Sequence, residues 1–202
     1  MTTVSPAYEA ADSGPYPFGL DVDGPQAQNR LSVFLRLIFA IPHFIALALI
    51  GIAAYVITII AWFVILFTGK YPGGMVNFTT GALRWGIRAY GYTFLLTDKY
   101  PPFSLDDDAA YPIRVSANPQ LDGRNRLTVF FRVIMIIPHA IVLGIINYVA
   151  ELLGFVAWLI ALFTGSVPAG LHNFLAGWLR WSTRYYAYAL LLTDEYPPFS
   201  LS

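Results

Sequence analysis

Three polar residues recur at seven-residue spacing early in the chain: Asn29, Arg36 and His43. On a helix this spacing places them in one stripe along the axis. The stripe is repeated in the second half of the chain by Asn125, Arg132 and His139. An intramembrane stripe of this kind can bind a lipid phosphate or relay protons. The more common role is structural: Arg36 reaches the surface, and His43 bonds backbone groups that Pro42 frees.

Pairs of arginines one helical turn apart form a second set of candidate contact residues. They are Arg84, Arg88, Arg180 and Arg184. Guanidinium groups bind phosphate through two parallel hydrogen bonds. The first pair lies on an amphipathic segment, with Trp85 at the border of the basic face, which is typical of a helix lying in the membrane interface. Gly81 and Gly91, and Gly177 in the second copy, share that face and would also permit close approach by another helix, such as one of the partner repeat.

Other chemistry-bearing residues lack the neighbours that catalysis needs. His43, His139 and His172 have no second histidine or carboxylate at ligand spacing, which argues against a zinc site. The chain has no cysteine and no serine on a nucleophile elbow. Asp98 and Asp194 follow Leu-Leu-Thr in each half and are interpreted as turn residues. We therefore predict no enzymatic activity, no metal and no cofactor, and nothing indicates nucleic-acid binding.

These residues occur twice because the chain is an internal duplication. Residues 29–105 and 125–201 align without a gap, and 41 of the 77 positions are identical. This period is too long for solenoid repeats, which run about 20–50 residues. The predicted domains are a tail with a short strand (1–28), repeat one (29–105), an acidic linker with a short strand (106–124) and repeat two (125–202).

Composition indicates a membrane protein. The chain is 57% apolar and 12% charged, against about 25% charged in soluble domains. From 31 to 69 the only ionisable side chains are Arg36, His43 and Tyr55, and this run exceeds the ~20 apolar residues needed to cross a bilayer. Residues 1–14 contain no basic residue and no apolar core, which argues against a signal peptide.

The apolar run of each repeat admits two layouts. As one straight helix, 31–67 would be about 56 Å long, beyond the ~30 Å hydrocarbon core. One layout is a helical hairpin that turns near Gly51, with Pro42 kinking its first arm. The other places 31–41 in the interface and lets 42–68 span the membrane.

Charge favours the hairpin layout. A single crossing per repeat would invert the two copies, yet both copies carry basic residues at matching positions, which the positive-inside bias disfavours. We predict an all-α integral membrane protein of two tandem repeats. Each repeat is a kinked membrane hairpin plus an amphipathic interfacial helix, with short extended segments at the repeat ends. Both termini and the linker are then cytoplasmic in a multi-pass protein.

Short strands are predicted where apolar residues alternate, at 16–23 and 111–118. Their expected partners are 103–105 and 199–201, the apolar ends of the two repeats. Nearby prolines would confine such strands to edges or strand starts.

The repeated blocks resemble a family of bacterial membrane proteins, common in actinobacteria and known as a domain of unknown function. The resemblance rests on Asn-Arg-Leu, Ile-Pro-His, Phe-Thr-Gly, Leu-Arg-Trp and Thr-Asp-x-Tyr-Pro-Pro-Phe in both copies. It implies a bacterial plasma membrane and supplies no activity or catalytic residues. The second copy departs from the pattern at Ser166-Val167, where a basic residue and tyrosine are usual.

Two functions follow as expectations. The first is a non-enzymatic accessory or scaffold subunit that contacts anionic lipids, a larger membrane complex or further copies of itself. The second is a small oligomeric transporter or channel, in which the arginine and histidine stripes line a pathway between the repeats.

Overall fold

The computed structural model describes residues 16–202; the first fifteen residues of the predicted tail lie outside that range. Two short strands and six helices are formed by these residues: β1 (Phe18–Val22), α1 (Arg30–Thr68), α2 (Gly73–Thr93), β2 (Ile113–Ala117), α3 (Arg126–Phe130), α4 (Arg132–Met135), α5 (Ile137–Thr164) and α6 (Ala169–Ala189).

The apolar run of repeat one is a single helix, so the predicted hairpin is wrong. Helix α1 has 39 residues, with Pro42 inside it, and is about 58 Å long. Asn29 caps its N-terminus, where the asparagine side chain accepts from the backbone N–H groups of Leu31 and Ser32. Gly69 caps its C-terminus in the left-handed conformation (φ 72°). Gly51, the expected turn, lies within the helix, because one glycine weakens a helix by only ~1 kcal/mol.

Repeat two carries the same apolar run in three helical pieces. Helices α3, α4 and α5 are separated by Phe131 and Ile136. Pro138 stands at the start of α5, where the missing N–H of proline removes no helical hydrogen bond. The repeats thus accommodate equivalent prolines differently.

The two long helices run antiparallel and are joined near both ends. The indole N–H of Trp62 donates to the Val129 carbonyl (2.9 Å). The equivalent Trp158 donates to the Val33 carbonyl (2.8 Å). Because each tryptophan bonds the other repeat, the copies are related by an approximate two-fold axis. One face of this helix pair is covered by α2 and α6, and the opposite face is exposed.

Helices α2 and α6 form an internal second layer, which differs from their predicted interfacial position. Helix α2 folds back along α1, so that Tyr92 meets Arg36 and Trp85 meets His43. Most α2 side chains are buried, and α2 also packs against α6. Glycines also let α2 pack closely against the segment that follows it, where Gly81 lies against Leu105.

The linker and both strands form a third layer over α2 and α6. Strands β1 and β2 pair antiparallel with each other, with Phe18 opposite Ala117, so the predicted pairing with 103–105 and 199–201 is wrong. Strand β1 packs on α6 and β2 packs on α2. Arg114 of β2 is ion-paired with Asp21 and Asp23 at the strand ends. The molecule therefore has a charged outer layer opposite the exposed face of α1 and α5.

Candidate functional site

Arg36 lies at the centre of a buried polar cluster in repeat one. Its Nη1 donates to the carbonyls of Tyr92 (2.8 Å) and Thr97 (2.7 Å). Its Nη2 donates to Gln28 Oε1 (2.8 Å) and Asp98 Oδ1 (2.6 Å). The side chain neither reaches the surface nor lines a polar track, as the two sequence interpretations required. Instead, the guanidinium fastens the loop after α2 to the start of α1.

Repeat two contains the same cluster with a second arginine. Arg132 donates to the Thr193 carbonyl (2.8 Å) and to Asp194 (2.7 Å). Arg124, which replaces Gln28 of repeat one, also donates to Asp194 with two nitrogens (3.0 and 2.7 Å). Burial would raise the pKa of Asp194, but the hydrogen bonds and charges of Arg124 and Arg132 outweigh it and hold this pKa below its usual value.

His43, the residue after Pro42, sits in an aromatic cluster. The indole N–H of Trp85 donates to its Nδ1 (3.0 Å), and the imidazole stacks on Phe103 with centroids 4.0 Å apart. Tyr100 adds a tilted contact at 4.8 Å. Because Nδ1 accepts a hydrogen bond, the neutral ring carries its proton on Nε2. The histidine thus holds the Tyr-Pro-Pro-Phe segment against α1.

The His139 cluster of repeat two is nearly superimposable. Trp181 donates to His139 Nδ1 at 3.0 Å, and Phe199 stacks on the ring at 3.8 Å. Tyr196 occupies the position of Tyr100, at 4.8 Å. The match in distance and orientation indicates that both copies use this histidine for the same packing purpose.

The arginines of α2 and α6 face the outer layer of the protein. Arg88 donates to the carbonyls of Ser104 (2.7 Å) and Asp106 (2.9 Å), and burial lowers its pKa. Arg84 lies 3.9 Å from exposed Asp107.

The pair on α6 behaves similarly. Arg180 donates to the Leu20 carbonyl (3.0 Å), and Arg184 donates to the Ser202 carbonyl (2.6 Å). These arginines therefore tie segments of the chain together. The segments that approach Gly81 and Gly177 are those at Leu105 and Leu201, rather than the helix that the sequence predicted.

The eight candidate residues consequently form separate clusters instead of one shared site. Each stripe arginine packs on the loop after the second helix, and each stripe histidine packs on the Tyr-Pro-Pro-Phe segment. Sequence reasoning missed four of their partners: Gln28, Asp98, Arg124 and Asp194. The signal was the Leu-Leu-Thr-Asp block, present in both copies, which supplies a carboxylate for each buried arginine. Within 16–202, no three histidine and acidic side chains come together as a metal site would require.

Two helices, Arg30–Thr68 and Ile137–Thr164, are long and apolar enough to cross a membrane. No curated protein and no solved structure matches the chain. One family does match, over residues 30–104 and again over 126–200, which are the two repeats defined by the fold. The chain therefore belongs to the family described as a domain of unknown function (DUF4389), as a tandem pair of its domains.

Proposed function

We propose that the protein is a non-enzymatic membrane module, which attaches through the outer face of α1 and α5 and acts as an accessory or scaffold subunit. The observation that supports this most is the exposure of large apolar side chains along both helices. On α1 they include Leu31, Phe34, Ile38, Ile45, Leu49, Ile52, Ile59, Phe63 and Phe67. Soluble monomers rarely expose a contiguous apolar patch above a few hundred Å². Hydrocarbon is the environment that suits such a surface.

The proposed orientation places α1 and α5 along the bilayer surface. At about 58 Å, α1 is nearly twice the ~30 Å core thickness. The segment 97–121, which includes most of the polar linker, runs the length of this helix, since Thr97 binds Arg36 near its start and Leu121 binds Tyr71 just after its end. An upright α1 would draw that linker, with the acids of 106–108, through hydrocarbon. A flat orientation keeps all these charges in water.

Exposed basic residues border the apolar face at both ends. Arg30 lies beside Gly165 at the end of α5, and Arg126 lies beside Gly69 at the end of α1. Lys70 is exposed as well and forms a surface pair with Asp122 (3.3 Å). Basic groups near the membrane surface add ~1 kcal/mol each to the attraction of anionic lipids. We assign the anionic-lipid contact to these three residues, because Arg36, Arg88 and Arg132 are buried.

A transporter or channel is the second candidate. It needs a shared pathway for the arginine and histidine stripes, whereas Arg36 and Arg132 are each bonded inside their own repeat. The aromatic contacts of His43 and His139 likewise stay within one copy. Proteoliposome flux that disappears in His43→Ala/His139→Ala would favour this candidate over the scaffold.

Vesicle flotation tests the membrane proposal. The chain is expected to float with vesicles of phosphatidylcholine and phosphatidylglycerol. Replacing Arg30, Lys70 and Arg126 by Gln should weaken flotation chiefly when phosphatidylglycerol is present. A matched control replaces Arg84, Lys99 and Arg114 by Gln, which removes the same charge from the outer layer and should leave flotation nearly unchanged. Equal loss in both variants would contradict the assignment, and absence of flotation in the wild type would overturn membrane attachment.

Single-cysteine labelling tests the orientation, since the native chain has no cysteine. Lys70 follows α1 and Asp107 lies in the linker. In the flat orientation, Lys70→Cys and Asp107→Cys react with an impermeant reagent from the same side of the membrane. Reaction from opposite sides would mean that α1 crosses the bilayer.

A further inference from the structure

We infer that a cavity along α1, bordered by residues of both repeats, is a binding site for one acyl chain of a membrane phospholipid. The site is a cavity of about 940 Å³, within the range typical of ligand pockets. Its walls are α1 from Phe44 to Phe63 and α4 at Val133, and its floor comes from Ala82 and Gly86 of α2 and Leu190 beyond α6. The inference rests on the membrane attachment proposed above.

The equivalent space in repeat two is filled by the protein itself. Trp178 stands where repeat one has Ala82, and its indole N–H donates to Asn147 Oδ1 (2.6 Å). The Trp178 ring packs on Phe94, with centroids 4.6 Å apart, and Phe94 in turn lies against Gly154. This region of the fold therefore accommodates a large apolar group, and one copy supplies it from its own sequence.

Each residue that fills the equivalent space has a smaller or aliphatic counterpart beside the cavity, at the offset of 96 between the two copies. Asn147 corresponds to Gly51, which has no neighbouring atoms where a side chain would begin. Phe94 corresponds to Leu190. The indole, its hydrogen-bond partner and the aromatic ring that packs on it are therefore all absent at the cavity. Three coordinated differences leave an apolar space that a flexible hydrocarbon can fill.

The cavity opens on the face assigned to the membrane. Val133 on its rim is 73% exposed, and Phe63 is 52% exposed; both belong to the outer side of the long helices. The surrounding medium at that face is lipid hydrocarbon in the proposed orientation, so the group with direct access is an acyl chain. Filling the space restores the dispersion contacts that its lining atoms otherwise lack.

One polar atom of the cavity wall is placed to bind the glycerol region of the lipid. Arg132 lines the cavity, and its Nε–H, buried, has no hydrogen-bond acceptor among the residues that the structure describes. An ester carbonyl oxygen of a phospholipid is an acceptor suited to this donor. The apolar walls then hold the chain and Arg132 sets its depth.

Native mass spectrometry of the protein, purified in mild detergent, counts the phospholipids that it retains. We expect the wild type to retain one phospholipid. In the Gly51→Asn/Ala82→Trp variant, which copies the side chains that fill the space in repeat two, the fraction of protein with a bound phospholipid should fall about tenfold or more. Gly86→Leu narrows the same cavity by another route and should do likewise. The matched control, Leu152→Trp, adds an indole to the exposed face outside the cavity and should keep the lipid. Trp178→Ala should gain a second phospholipid.

Vesicle flotation of the same variants separates this site from membrane attachment. Flotation should be unchanged in Gly51→Asn/Ala82→Trp, because the outer face of α1 and α5 is retained. A wild type that floats but retains no phospholipid, or a filled variant that retains as much as the wild type, overturns the acyl-chain site alone. A wild type that does not float overturns the attachment on which the site depends.

Discussion

Arg36 and Asp98 are 62 residues apart in the chain and form an ion pair of 2.6 Å, in which the arginine is buried and the aspartate is partly exposed. The arginine belongs to the first turns of α1, and the aspartate follows α2. Asp98 also accepts from the backbone N–H of Asn29 (3.1 Å), so one carboxylate fixes both the helix start and the returning loop. The equivalent Asp194 has two arginine partners instead of one.

This difference predicts unequal effects of removing the two arginines. Arg36→Met leaves the partly exposed Asp98 without its arginine partner and removes the donor to the Thr97 carbonyl, so it should lower the free energy of unfolding by about 2–4 kcal/mol. Arg132→Met leaves Asp194 paired with Arg124, and the main loss is the hydrogen bond to Thr193, worth about 1–3 kcal/mol. Urea unfolding in detergent, followed by circular dichroism, measures both. Equal losses would contradict the structural asymmetry.

Acid should weaken the repeat-two cluster. The pKa of Asp194 is lower in the folded protein than in the unfolded chain, whose value is about 3.9. Its contribution to stability is therefore complete above about pH 5 and is lost as the pH falls through the folded-state pKa. Asp194→Asn should reduce stability at pH 7, and the gap from the wild type should narrow below about pH 4.

The control for this pH dependence is Asp122→Asn, which breaks the exposed pair with Lys70. Exposed pairs are worth about 0–1 kcal/mol, so this variant should track the wild type across the pH range. An Asp194→Asn gap that stayed constant down to pH 2 would show that its charge contributes nothing.

His43 and Trp85 should be strongly coupled in a double-mutant cycle. His43→Phe keeps the stacking on Phe103 but leaves the buried indole N–H without an acceptor, which costs about 1–3 kcal/mol. Adding Trp85→Phe removes the orphaned donor, so the double variant should be more stable than the sum of the single changes predicts. Thermal melts of the four proteins give the coupling free energy. Strict additivity would mean that the hydrogen bond of 3.0 Å contributes no stability.

Gly81 should not tolerate a side chain. A Cβ there would lie 2.7 Å from Leu105 Cβ and 2.8 Å from its carbonyl oxygen, so Gly81→Ala should destabilise by about 1–3 kcal/mol through overpacking. A Cβ added at Gly144 in α5 would have no atom within 4 Å. Gly144→Ala should therefore stabilise by up to about 1 kcal/mol through helix propensity. If both substitutions stabilised the protein, the packing of α2 on the linker would differ from that described.

The duplication, the helical character and the limits of α1 could be predicted because they depend on local patterns. Asn29 is a good N-cap and Gly69 a good C-cap, and the apolar run between them is continuous. The predicted hairpin is wrong because an apolar run longer than the bilayer thickness need not turn back on itself when it can continue as one helix. Gly51 stays helical within the continuous apolar run, because a single glycine weakens a helix by only ~1 kcal/mol.

The partners inside the site could not be predicted from periodicity. A stripe of spacing seven places Arg36 and His43 on one helix face, but it says nothing about which distant loop returns to that face. That return depends on Leu95, which adopts a left-handed conformation (φ 63°) although leucine rarely does so. Its side chain is buried, and this burial offsets the backbone strain.

The crossed bonds from Trp62 to Val129 and from Trp158 to Val33 have a consequence for the origin of the asymmetry. A free single repeat would have to find a second copy to form them, as a two-fold homodimer in which every residue appears twice. Joining the copies in one chain makes their association intramolecular, at an effective concentration near millimolar. It also allows the two copies to differ in sequence, so that one has Ala82 where the other has Trp178. An unequal pair of this kind is beyond the reach of any symmetric dimer.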